Sequence, residues 1–148
     1  MKYLFSILFV TFATLSFAQT NSIVSWTFES KKTAPNEYTI QMKATVKDGW
    51  YIYSQFLESD DGPIRTEIVL EENEGIVLVE KATEGGNQVS GFDEMFDMNI
   101  IKYKKQLIIL QKVTAKKSEK FKGYITFMTC NDEQCLPPTD VPFEITLK

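Results

Sequence analysis

The sequence predicts an all-β domain, an immunoglobulin-like antiparallel β-sandwich, and three observations carry that expectation. Apolar and polar residues alternate with period two in almost every segment, turn-forming residues interrupt the alternation at short intervals, and no segment sustains a helical period. A jelly roll fits the same observations and is the alternative architecture. There is no internal repeat and no sign of a second domain.

Residues 1–18 stand outside this pattern and read as a signal peptide. Lys2 supplies a positive charge, Leu4 to Phe17 is an apolar run, and Ser16-Phe17-Ala18 fits a small-residue cleavage site before Gln19. The run of about 14 residues is shorter than the roughly 20 that span a bilayer. No cysteine follows the site, so a lipid anchor there is not expected. Residues 19–148 would then form one domain of about 130 residues, exported to the periplasm or secreted, with no stable membrane insertion. An uncleaved anchor is the alternative.

Charge and composition exclude several function classes. Loss of Lys2 takes the basic residues from 16 to 15 against 20 acidic ones, and the net charge from −4 to −5. That balance argues against a nucleic-acid or anionic-membrane partner and favours solubility. The chain has no histidine, which removes imidazole bases, catalytic triads and histidine metal sites. Two cysteines fall short of a closed zinc site, so no metal or other cofactor is expected.

In chain order, Ile23 to Phe28 opens the fold. Tyr38, Ile40, Met42, Ala44 and Val46 then point one way while Thr39, Gln41, Lys43, Thr45 and Lys47 point the other, a half-buried strand. Asp48-Gly49 reads as the turn of a hairpin whose returning strand is Trp50 to Ser54. Gly62-Pro63 breaks the chain before strands at Thr66–Leu70 and Ile76–Lys81, and Glu84-Gly85-Gly86-Asn87 reads as a flexible break. Ile100–Tyr103, Leu107–Val113, Phe121–Thr129 and Pro142–Leu147 complete the strands, with Lys116–Lys120 a solvated turn.

Two segments depart from this routine. Between Asn87 and Asn99, a non-periodic loop sets Phe92, Met95, Phe96 and Met98 among the acids Asp93, Glu94 and Asp97, either to plug the end of the sandwich or to cover something. Thr126 to Pro138 holds both cysteines. The alternation before Cys130 and the turn-forming Asn131-Asp132 suggest a hairpin loop across whose mouth Cys130 and Cys135 form a disulfide. So small a ring is worth only about 2 kcal/mol by chain entropy. A structural staple and a redox-active pair both remain open on spacing alone.

The residues at four places resemble the family of amino-terminal periplasmic domains of the thiol–disulfide interchange protein DsbD. They are Trp26-x-Phe28, Gly49-Trp50-Tyr51-Ile52-Tyr53-Ser54, Asp93-Glu94-Met95-Phe96, and Tyr124 through Cys130 to Cys135-Leu136-Pro137-Pro138. The resemblance covers essentially all of residues 19–148. It implies that Cys130 and Cys135 are the redox pair, that Asp93, Glu94, Met95 and Phe96 belong to a cap shielding them, and that Tyr51 and Tyr53 lie beside the site. It also implies electron transport without a bound cofactor, including service to cytochrome c biogenesis. Partners would be thioredoxin-like or membrane thiol–disulfide oxidoreductases, met through transient mixed disulfides, with Cys135 bonding the partner and Cys130 resolving the bond.

Two features depart from that pattern. The family's cysteines are often spaced one residue wider. The sequence stops at Lys148 without a membrane carrier or a thioredoxin domain, so the electron donor is expected to be another polypeptide. The acids Asp132 and Glu133 between the sulfurs disfavour a thiolate, which suits a shuttle that meets an activated partner better than an autonomous catalyst. A carboxylate or a tyrosine is the expected proton acceptor. Ordinary strand packing is the alternative for Tyr51 and Tyr53, and Trp50 reads as core. The competing class is an exported binding module whose disulfide is purely structural.

Overall fold

The computed structural model describes residues 22–148, all strand, turn and loop among those residues, so the proposed signal peptide lies outside the described residues. Nine strands follow in order: β1 Val24–Ala34, β2 Glu37–Val46, β3 Tyr51–Tyr53, β4 Glu67–Leu70, β5 Ile76–Asp93, β6 Met98–Ala115, β7 Glu119–Phe127, β8 Thr129–Cys130 and β9 Thr139–Leu147. They form two antiparallel sheets, β4-β7-β9 and a six-stranded sheet centred on β6, packed as the expected immunoglobulin-like sandwich.

β6 organises the larger sheet. Along one edge it pairs with β5. Along the other, Gln106–Thr114 pair with β2 and Lys102–Lys104 pair with β3, so β2 and β3 lie end to end on the same edge. β1 lies outside β2, and β8 lies outside β3.

The alternation in β2 sets the inner face. Tyr38, Ile40, Met42, Ala44 and Val46 are buried against Leu107, Ile109 and Val113 of β6 and against Phe121, Ile125, Phe127, Phe143, Ile145 and Leu147 of the smaller sheet. Aromatic contacts cross the interface, with Phe28 and Phe143 ring centroids 5.0 Å apart and Trp26 and Phe127 5.7 Å apart. Trp50 packs against this core, as expected. Pro142 sits in β9, an edge strand, where its missing N–H costs least.

Five expectations need correction, and each failed because alternation does not name a pairing partner. Asp48-Gly49 is a turn, with Gly49 at φ 85° and Trp50 N–H donating to Lys47 O, but it is not a hairpin. The chain leaves β2 and resumes as β3 in the same direction along β6. Glu84 to Asn87 lies within β5, where a register shift between Gly86 and Gln88 absorbs the irregularity. Gly86 is required there. Its φ is 123°, and an added Cβ would lie 2.3 Å from the Gln106 carbonyl oxygen.

Ile100–Tyr103 and Leu107–Val113 are one strand, continued through Lys105 at φ 62°. Phe121–Thr129 is two strands, because the chain crosses from the smaller sheet to the larger at Met128. Finally, the loop expected from Asn87 to Asn99 is the tip of the β5–β6 hairpin, reduced to a turn at residues 94–97.

Candidate functional site

Successive side chains of a strand point to opposite faces. On β3 this sends Ile52 into the sandwich core and Tyr51 and Tyr53 to the outer face of the larger sheet. Cys130 on β8 is the register partner of Tyr51 and shares that face. Tyr51, Tyr53, Leu57, Ile100 and Cys130 form a second buried cluster, with Phe96, Met98 and Met128 packed on it. The crossover at Met128 is what brings Cys130 here: Phe127 ends in the main core, and two residues later the chain runs beside β3.

Cys130 and Cys135 are disulfide-bonded, with Cα atoms 4.0 Å apart across a four-residue loop. Asn131 shapes the loop. Its side-chain oxygen accepts the N–H groups of Glu133 at 2.9 Å and Gln134 at 2.7 Å, and its own N–H donates to Gln134 O. The Leu136 N–H donates to Thr129 O, completing the expected hairpin around the bond. The two sulfurs stand in unlike surroundings, for Cys130 is fully buried while Cys135 is exposed.

The tyrosines are held neutral. The Tyr51 hydroxyl donates to Asn131 O at 3.1 Å, and burial, despite the nearby Tyr53 hydroxyl, raises its pKa. Asp93 and Asp132 add to that rise. Burial pushes Tyr53 up much further, with Tyr51 and Asp93 contributing, and its buried hydroxyl meets no hydrogen-bond partner among the described residues. The two rings meet edge to face at 5.7 Å, and Phe96 meets Tyr53 in the same manner at 6.1 Å.

A cavity of about 790 Å³ opens elsewhere, beside β4 and β5, and none of these side chains lines it. A sulfur on a protein surface needs no such pocket.

The family model that matches residues 19–146 is that of the N-terminal domain of thiol:disulfide interchange protein DsbD. The chain belongs to that family. Solved structures agree on the fold. The N-terminal periplasmic domain of ScsB from Proteus mirabilis matches with a TM-score of 0.61 at 16% identity, over 84% of this chain and 47% of that one. The reduced DsbD N-terminal domain of Neisseria meningitidis matches with a TM-score of 0.52 at 16% identity, over 82% and 84%. The chain thus spans about half the length of the ScsB domain. No curated protein matches it.

In this DsbD N-terminal-type domain the residues singled out from sequence fall into two groups. Cys130, Tyr51, Tyr53 and Phe96 come together in one cluster, with Cys135 at its exposed margin. Asp93 lies at the base of the hairpin turn, where its side chain accepts the Met95 N–H at 3.0 Å. Glu94 and Met95 do not join the cluster; both are exposed, Met95 at 61%.

Sequence reasoning missed Lys102, whose ammonium lies 4.2 Å from the Tyr51 ring centroid and 3.5 Å from Asp93 Oδ2. It also missed Glu84, which accepts from Ser54 Oγ at 2.5 Å and Gln55 N–H at 2.8 Å and so fixes the exit of β3. Only strand register, which joins β3, β5 and β6, could have found either.

Proposed function

We propose that this domain is an exported thiol–disulfide interchange shuttle, working in the periplasm or outside the cell, whose Cys130–Cys135 pair carries two electrons between thioredoxin-like or membrane oxidoreductases. The observation that carries the reading is the asymmetry of the bond. A stapling disulfide has no need of one buried and one exposed sulfur, whereas an exchange reaction needs one sulfur to meet a partner and one to be kept in reserve.

In the oxidised domain a donor thiolate attacks Cys135 Sγ. The new intermolecular S–S bond forms as the Cys130–Cys135 bond breaks, and Cys130 leaves as a thiolate that takes up a proton. The donor's second thiolate then attacks its own sulfur in the mixed disulfide, releasing Cys135 as a thiolate that is protonated in turn. The donor ends as a disulfide and this domain as a dithiol. Delivery runs in reverse, with Cys135 attacking an acceptor's disulfide and Cys130 resolving the mixed bond.

The site's free hydroxyl, that of Tyr53, serves this chemistry as a donor. With their pKa values raised, Tyr51 and Tyr53 are poor proton acceptors at neutral pH, which revises the expectation of a tyrosine base. The unpartnered Tyr53 O–H is instead free to donate to a thiolate forming at Cys130, in the same cluster. Phe96 and its turn act as the cap, shielding the buried side of the bond from stray thiols until a partner displaces them.

Trapping with single-cysteine variants tests the reading. Cys130→Ser leaves Cys135 free to bond and nothing to resolve the bond, so it accumulates a mixed disulfide with a thioredoxin-like partner, while Cys135→Ser gives little. Equal trapping by both variants removes the division of labour, and trapping by neither removes the shuttle.

A further inference from the structure

Lys102 has no place in the exchange chemistry, yet it sits where the cap meets the site. It lies on the outer face of β6, in register with Tyr53 on β3 and Val89 on β5. Its ammonium touches the Tyr51 face and the Asp93 carboxylate at once. Asp93 in turn uses its other oxygen to hold the Met95 N–H, at the start of the turn that carries Phe96. A continuous polar chain therefore runs from the aromatic wall beside Cys130, through Lys102 and Asp93, to the backbone of the cap.

This ion pair differs from the others. Its side chains are only 20% and 14% exposed, whereas every other ion pair among the described residues has at least one partner between 38% and 90% exposed. Sheltered from solvent, the contact is screened less by salt than a surface bridge. Phe96 on Tyr53 is the apolar tie of the cap, and Lys102 on Asp93 is a second, polar tie from a different strand.

We propose that Lys102 is a positioning residue that latches the cap shut, holding Asp93 and thereby the Phe96 turn against the tyrosine wall. The inference rests on reading that turn as a cap. A partner that lifts the turn must break the Lys102–Asp93 contact as well as the Phe96–Tyr53 contact. The latch thus sets how readily the disulfide is reached.

The test is the rate at which dithiothreitol reduces the oxidised domain, its two thiols closing to a cyclic disulfide as Cys130 and Cys135 take up two electrons and two protons. Phe96→Ala serves as the reference for an open cap. Lys102→Met and Asp93→Asn are each expected to speed reduction about twofold or more, the low end of coupling between residues in contact. The double variant should be no faster than the faster single one, and Lys102→Arg should stay near the parent rate, all with similar melting temperatures. Asp93→Asn carries the test alone should Lys102→Met fold poorly.

Additive effects, or no rescue by arginine, overturn the latch. An unchanged rate in both charge variants beside a faster Phe96→Ala removes the latch and leaves the cap standing. An unchanged rate in all of them removes the cap and the latch together, and the trapping result then decides the shuttle separately.

Discussion

On its inner face the six-stranded sheet presents Ile52 and Tyr103 to a core of aliphatic and aromatic side chains contributed by both sheets. On its outer face the same strands present Tyr51, Tyr53, Ile100 and Cys130 to a cover of three side chains, Phe96, Met98 and Met128. The tyrosines make the contrast concrete. Tyr103 donates its hydroxyl to Gln88 Oε1 at 3.2 Å, whereas the buried Tyr53 hydroxyl has no partner among the described residues. An orphaned buried donor costs about 1–3 kcal/mol, and the main core carries one too, Trp26 Nε1, so the orphan marks the outer face only together with the disulfide beside it. The inner face holds the fold together, and the outer face uses the rigidity so obtained.

The comparison breaks most readily through the inner face. Ile109→Ala removes a fully buried side chain from the main core and should cost about 2–5 kcal/mol in denaturant unfolding. Dithiothreitol should still reduce the disulfide of its folded fraction at the parent rate. A changed rate would mean that the two faces are not independent.

On the outer face, the double change Cys130→Ser with Cys135→Ser opens a small ring and should cost at most about 2 kcal/mol. That is a fall of several degrees in the melting temperature. A loss as large as that of Ile109→Ala would make the disulfide a staple.

The tyrosines sharpen the contrast on a smaller scale. Tyr51→Phe forfeits the bond to Asn131 O and should cost about 0.5–1.5 kcal/mol, while Tyr53→Phe removes an unpaired hydroxyl and should be neutral or slightly stabilising by denaturant midpoint. The reverse order would mean that the Tyr53 hydroxyl has a partner in solution.

Alkaline pH gives the most gradual effect. Burial, with Glu84 beside it, pushes the Tyr103 phenol up to about 12, so the folded state holds that proton more tightly than an unfolded chain with a tyrosine pKa near 10. The stability this provides is complete below about pH 10 and is lost as the pH rises through about 12. Tyr103→Phe should therefore flatten that part of the decline in a series of unfolding midpoints against pH, and an unchanged slope would contradict the assignment.

Much of this was legible in the sequence. The alternation from Tyr38 to Val46 names the inward side chains of β2, and Asn131 between the cysteines marks the loop that the disulfide closes. What escaped was pairing. Asp48-Gly49 looks like a hairpin turn because local chemistry favours a turn there, but β6 is long enough to pair with both flanking strands on one edge. Gly85-Gly86 looks like a break because a glycine's need for positive φ reads the same in a loop as in a bulge. Nothing in the sequence distinguishes Lys102 from other lysines of alternating strands, since its two partners, Tyr51 and Asp93, lie on other strands.

The reduction potential of the Cys130–Cys135 pair tests the central claim most directly. The oxidised domain would be equilibrated with a thiol–disulfide buffer of known poise and its free thiols counted after alkylation. A shuttle disulfide should come to equilibrium at a potential less negative than about −300 mV, within reach of thioredoxin-like donors. A value well below that would mark a bond built to stay closed, and the domain would then be a binding module with a structural disulfide.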